Sequence, residues 1–169
     1  PTPLGTLRGH LARTNPLWHE ARADVEALVV FQGPQAYISP SLYPSKAASG
    51  KVVPTWNYVT VQARGKRRAV DDPAWVRGIV ERLTQTHEAP RAVPWAVSDA
   101  PTDYVDTMLR AIVGIEIELS ALQGKWKVSQ NRTQADRQGV AHGLAQQAQA
   151  SANPQTAAMA RLVAGGSTV

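Results

Sequence analysis

The sequence predicts an α+β fold built on a mainly antiparallel sheet. Val59, Val61 and Ala63 alternate with Thr60, Gln62 and Arg64, the period of a strand with one buried face. Val76, Ile79, Val80 and Leu83 fall at i, i+3, i+4 and i+7, the period of an amphipathic helix. Strand-like segments come first, then two helices and a hairpin. The regular strand–helix alternation of a parallel sheet is missing.

Each element has a local reason. Leu4 to Leu11 reads as a strand, and Asn15-Pro16 as a cap followed by a first helical residue, with a short helix through Ala21. Val25 to Gln32 holds the run Leu28-Val29-Val30-Phe31 and reads as a buried strand, ended by Gly33-Pro34. Ala36 to Ser39 is a further short strand. Pro40 to Gly50 has two prolines and no periodicity, so a loop is expected. Val52 to Val70 is mainly strand, with Gly65 marking a bulge or bend. Asp71-Asp72-Pro73 caps a helix over residues 73–87. Pro90 to Pro101 is a loop holding Trp95. Val105, Met108, Leu109 and Ile112 form a second helical stripe over residues 102–113, ending at Gly114. Ile115, Ile117 and Leu119 alternate with Glu116 and Glu118 in a one-sided strand, and Lys125 to Ser129 is its hairpin partner. Beyond Thr133 the composition turns to Ala and Gln, and Asp136, Val140 and Leu144 outline a helix over about 134–147. Asn153-Pro154 starts a last helix reaching about Ala164, closed by Gly165-Gly166-Ser167.

Composition excludes several functions. A chain of 169 residues with 43% hydrophobic and 18% charged residues is ordinary globular material for one domain. With no cysteine, disulfides, thiolate metal sites and cysteine nucleophiles drop out. The longest strongly apolar stretch, Ala27 to Phe31, is strand-sized, so no membrane association is expected, and the location expected is the cytoplasm. His10, His19, His87 and His142 are widely spaced, so no metal site is expected. No glycine-rich dinucleotide loop, P-loop or nucleophile elbow is present, and no catalytic residue stands out. The net charge of +5 attracts anions without establishing nucleic-acid binding. Arg64, Lys66, Arg67 and Arg68 read first as a solvated edge strand, and second as a DNA-backbone contact.

The segment from Gly124 to Arg132 packs three cations, an indole, a hydroxyl and two carboxamides into nine residues. Such a set suits a flat, polar, anionic ligand such as a nucleotide-like cofactor. Strand alternation puts Lys125 and Lys127 on one face and Trp126 on the other. Lysines lining a groove with Trp126 in the core is the cheaper arrangement, because two lysines in a core are costly. Arg13 reads equally as a phosphate contact or a solvated strand end. Trp56 reads more readily as core than as a stacking platform, and Trp18 and Trp75 read as packing residues.

Three segments carry a family resemblance. They are Gly9-His10-Leu11-Ala12-Arg13-Thr14-Asn15-Pro16; Ala36 to Tyr43 with Val52 to Tyr58; and the Trp126-to-Arg132 run with Ala135-Asp136-Arg137. In this order they resemble the PaiB-like family of FMN-binding negative transcriptional regulators. That family belongs to the FMN-binding split-barrel superfamily, with the pyridoxamine phosphate oxidase-like proteins. The resemblance implies a split β-barrel with flanking helices and a C-terminal helical tail. It also implies FMN as cofactor, a homodimer, and repression through DNA contacts whose surface the sequence does not identify. Residues 1–132 would be the barrel domain, lacking the family's first strands and helix, and residues 133–169 a helical extension. The cofactor residues implied are His10, Arg13, Asn15, Tyr37, Ser39, Trp56, Asn57, Lys125, Lys127, Gln130, Asn131 and Arg132. Two rival readings share the barrel: a flavin-dependent oxidoreductase, and a haem protein ligated through His10 or His19.

Overall fold

A computed structural model describes residues 4–20 and 25–165. The expected end of the first helix at Ala21 and the Gly166-Ser167 terminus lie outside the described residues. The strands are β1 (Thr6–Ala12), β2 (Ala27–Ile38), β3 (Thr55–Val70) and β4 (Ile112–Lys127). They form one curled antiparallel sheet in the order β1-β4-β3-β2. β1 pairs with β4 in the register Thr6 to Glu118 through Ala12 to Ile112. The helices are α1 (Leu17–Glu20), α2 (Ser45–Ser49), α3 (Pro73–Glu88), α4 (Thr102–Arg110), α5 (Gln134–Ser151) and α6 (Pro154–Gly165). The α+β class with a mainly antiparallel sheet is therefore correct, and the strands and helices fall close to their expected places.

Four expectations need correction. β2 runs unbroken through Gly33-Pro34 rather than forming two strands. It lies at the end of the sheet order, and an edge strand tolerates a proline because its outer N–H has no ladder partner to lose. Gly33 fits there because a Cβ would lie 3.1 Å from the Val59 Cβ. Residues 40–50 are not plain loop: a 3-10 turn (Pro40–Leu42) leads into α2, which stops at Gly50 with φ 64°. α4 ends at Arg110, and Ile112 already belongs to β4, where a β-branched run favours extended chain. Finally, β4 is one strand from Ile112 to Lys127, so Lys125 to Ser129 is not a hairpin partner. Gly124 makes no turn. It gives room to the Trp126 ring, which a Cβ at that position would strike.

The chain divides into two compact units, residues 1–29 with 63–122, and residues 30–62 with 123–169. In the first unit, Ala63, Ile115, Ile117 and Leu119 are buried together with Leu7, Leu11 and Trp18 against them. A second cluster holds α3 and α4 together through Val76, Val97, Val105 and Leu109, flanked by Trp75. α3 begins as its sequence demands: Asp72 Oδ1 accepts from Ala74 N at 2.9 Å and Trp75 N at 3.3 Å, with Pro73 in the first turn. Trp18 and Trp75 are packing residues, as expected. Gly65 does not interrupt β3; its missing side chain admits the Glu118 carbonyl of β4.

The core of the second unit joins Ile38 and Val59 to Val140 and Leu144 of α5 and Met159 and Val163 of α6. α6 starts at the expected cap, where Asn153 Oδ1 accepts from Gln155 N at 2.9 Å and Thr156 N at 3.3 Å. None of the described helices is long and apolar enough to cross a membrane.

Candidate functional site

In the first unit Arg13 and Asn15 are engaged within the fold, and His10 is open. Arg13 leaves the end of β1 and spends its donors locally. Nη1 and Nη2 donate to the two Asp71 oxygens at 2.9 and 2.6 Å, and Nε donates to the Arg110 carbonyl at 2.9 Å. Nη2 also reaches the Ile112 carbonyl at 3.2 Å. This fork ties β1 to the α4–β4 junction, and the hydrogen bonds from Arg13, more than its charge, hold Asp71 below the usual carboxylate range. A phosphate here would have to displace Asp71. Asn15 accepts from Leu17 N at 3.0 Å and so starts α1. His10 is exposed and lines a cleft of about 320 Å³ with Leu83, His87 and Trp95.

The same unit carries a charge network across three strands. Glu116 of β4 is only 9% exposed. It accepts from Arg68 of β3 at 2.7 Å and from Arg8 of β1 at 2.9 Å. These two guanidinium contacts, Arg68 first, hold the Glu116 carboxyl below its ordinary range. A carboxylate lowered in the folded state adds stability above the ordinary range, and that stability goes as pH falls through the lowered value. The melting temperature is therefore expected to be level from neutrality down to the ordinary carboxylate range and to drop below it. Glu116→Gln should be less stable than wild type at neutrality, with the gap closing in acid. A gap independent of pH would show that the network does not contribute.

The second unit gathers segments far apart in sequence. Ser129, just past β4, has φ 65° in the left-handed region, a strained conformation for a residue with a side chain. Asn57 of β3 holds it there, donating from Nδ2 to Ser129 Oγ at 2.9 Å. Asn57 is 1% exposed and Ser129 5%, so this bracket is internal. Gln130 closes the turn: its Oε1 accepts from Val128 N at 2.9 Å, and its Nε2 donates to the Trp126 carbonyl at 2.6 Å. The turn brings Arg132 over the Tyr43 ring, 4.7 Å from its centroid. Asp136, at the start of α5, accepts from Ser45 N at 3.1 Å and Ser45 Oγ at 2.9 Å. The Ser45 backbone N–H is the main reason the Asp136 carboxyl lies below its ordinary range. Tyr43 OH and Asn57 Oδ1 are buried with no partner among the described residues.

At the end of β4 both faces are open. Lys125 and Lys127 are exposed, and Trp126, expected in the core, is 40% exposed. The alternation rule fails here because β4 runs past its last core residue, Leu119, and residues 120–127 bury neither face. Lys127 Nζ donates to Thr55 Oγ1 at 2.7 Å. Beside Thr55, Trp56 is 47% exposed and donates its indole N–H to Gln35 Oε1 at 3.0 Å. Its ring lies 6.2 Å from that of Tyr37, tilted by 52°.

Comparison with known proteins gives the family. The family described as "Putative FMN-binding domain" matches residues 1–121. The chain belongs to this FMN-binding domain family. Its cofactor is FMN. An uncharacterised protein of Emericella nidulans is 40% identical over 83% of this chain and 66% of its own length. The Protease synthase and sporulation protein PAI 2 of Bacillus subtilis is 34% identical over 93% of this chain and 71% of its own length. Among solved structures, the flavocytochrome Anf3 from Azotobacter vinelandii is 14% identical, over 76% of this chain and 50% of that one, with a TM-score of 0.39. The chain thus spans just under two thirds of the fungal relative's length.

The candidate residues fall into two groups. Arg13 and Gln130 are engaged within the fold, as are Asn15 Oδ1 and Asn57 Nδ2, and Ser39 accepts from Ser41 N at 3.2 Å to cap the 3-10 turn. Lys125, Lys127, Asn131, Tyr37 and Trp56 are exposed, and Arg132 is half-buried on Tyr43. Sequence reasoning missed Tyr43, Ser45 and Asp136 as the anchors of that turn, although all three lie in or beside the segments that carried the resemblance.

Proposed function

We propose that this FMN-binding split barrel acts as a negative transcriptional regulator in the cytoplasm, working as a two-fold dimer that contacts DNA through a surface still to be located. The observation that carries the reading is the family match over residues 1–121. The Bacillus relative is named a protease synthase and sporulation protein, and sporulation is a regulated programme, which favours the regulatory reading. Residues 1–132 form the cofactor-binding part in this reading, and residues 133–169 an extension whose helices share its core through Val140 and Leu144.

The chemistry of the second unit fits the cofactor. Lys125 and Lys127, with the Thr55 hydroxyl beside Lys127, would take the terminal phosphate as charge-assisted contacts. Trp56 and Tyr37 offer exposed aromatic faces, and Asn131 and Arg132 supply polar contacts at the turn. Strain at Ser129 and the unpartnered Tyr43 and Asn57 atoms mark this turn as costly to build, which is common where a position serves a ligand. When bound, FMN supplies a redox-sensitive ring, and the protein's part is to hold and orient it.

Titration of purified protein with FMN should quench flavin fluorescence, with FMN bound in preference to FAD or NAD. Sedimentation should give a dimer at micromolar concentration, and the FMN-loaded protein should retard DNA from its own upstream region. Unchanged flavin fluorescence at high protein concentration would remove the cofactor reading. Bound flavin with no DNA retardation would leave the cofactor and remove the repressor.

A further inference from the structure

The second unit also holds a pocket of about 400 Å³. Gln35, Tyr37 and Trp56 line it from β2 and β3, and Gln147, Asn153 and Gln155 from the α5–α6 corner. That volume lies in the range of small-molecule sites.

The pocket's polarity follows from bonds already made. Gln35 Oε1 accepts the Trp56 indole N–H at 3.0 Å, so the acceptor end of this carboxamide is engaged and its NH2 remains. Asn153 Oδ1 is likewise engaged, accepting from Gln155 N and Thr156 N at the start of α6, and its NH2 remains. Each bond leaves an amide donor on a residue that lines the pocket, one from the strands and one from the α5–α6 corner. Ala152, with φ 50°, turns the corner that presents Asn153. The tilted Tyr37–Trp56 pair gives an aromatic wall for a flat ring. Among the described residues, no Lys, Arg, Asp or Glu lines the pocket. A phosphate or carboxylate would find no counter-charge there, whereas neutral carbonyl oxygens match the two donors.

We propose that this pocket binds a neutral, planar ring carrying carbonyl oxygens on its edge. Two sources share that chemistry: a free pyrimidinedione or quinone, and the carbonyl edge of the flavin itself. Only the second source rests on the FMN reading.

The test uses uracil and menadione as probes, titrated into the full chain with and without saturating FMN. Calorimetry gives affinity, and the Trp56 indole and side-chain amide signals in a proton–nitrogen correlation spectrum give location. At least one probe should bind the FMN-free protein and move those signals. Persistence with FMN assigns the pocket to a free ring, and loss with FMN assigns it to the flavin edge; either supports the proposal.

Two variants isolate the donors. Gln35→Glu keeps the acceptor for Trp56, and Asn153→Asp keeps the cap of α6, since Asp caps as well as Asn. Each replaces a donor with a negative charge facing the ligand's oxygens, so affinity should fall about ten- to a hundred-fold without loss of fold. If neither probe binds the FMN-free protein, or if both variants bind within twofold of wild type, the proposal is overturned. A protein that binds probes but no FMN would sink the cofactor reading and leave this one standing.

Discussion

Gly65→Ala is expected to destabilise the protein far more than Gly124→Ala, although an added methyl collides with a neighbour at both positions. At Gly65 the neighbour is backbone, the Glu118 carbonyl of the adjacent strand. It can move only if the β3–β4 spacing opens, beside the buried Ala63 and Ile117. Overpacking of this kind costs about 1–3 kcal/mol, and an immovable partner puts Gly65 at or above the top of that range. For a chain of this size, a loss of about 3 kcal/mol lowers the melting temperature by roughly 6–12 °C. At Gly124 the neighbour is the far end of the Trp126 ring, which is 40% exposed and free to swing away. There the gain from removing glycine's extra unfolded-state freedom, about 0.4–1 kcal/mol, offsets the adjustment. Thermal melts of the two variants decide the matter. Equal losses would mean that the Trp126 ring is held as firmly as the Glu118 carbonyl.

These two glycines also show where the sequence stops being legible. In the sequence Gly65 reads as a bend and the stretch before Lys125 as a turn, yet both glycines are in extended strand. Their reason for being glycine is the close approach of another group, which no local pattern records. α3 was readable because its signals are local: the Asp72 cap, Pro73 in the first turn and an apolar stripe within four turns. α6 was readable for the same reason, through Asn153 and Pro154. The continuity of β2 was not, because Gly33-Pro34 ends a central strand but not an edge strand, and edge position is a property of the whole sheet.

The candidate site divides the same way. Residue chemistry singled out Lys125 and Lys127, which the fold leaves exposed at the end of β4. It could not pair Asn57 with Ser129, which lie 72 positions apart, or Ser45 with Asp136, 91 apart. Nor could it show that Arg13 meets Asp71, 58 positions away.

The largest effect on ligand binding is expected at the lysines of β4. Lys127 lies 2.7 Å from the Thr55 hydroxyl, and Lys125 shares its face of the strand. Neither is buried, so replacing either with alanine should leave stability within about 0.5 kcal/mol of wild type. If they hold the phosphate, each loses a charge-assisted contact of roughly 1.5–3 kcal/mol, and FMN affinity falls about ten- to a hundred-fold. The wild-type preference for FMN should weaken with added salt, because exposed charges are screened. Riboflavin has no phosphate, so its affinity should hardly change in the lysine variants. Trp126→Ala provides the contrast. The ring is open on the far face of the strand, so its loss should shift the melting temperature little. If that ring stacks on flavin, its removal weakens FMN and riboflavin alike, because stacking does not involve the phosphate. Parallel titrations of the three variants with both ligands separate the cases. If Lys125→Ala and Lys127→Ala lower FMN and riboflavin affinity equally, these lysines do not serve the phosphate, and the cation for it must be sought elsewhere, first at Arg132.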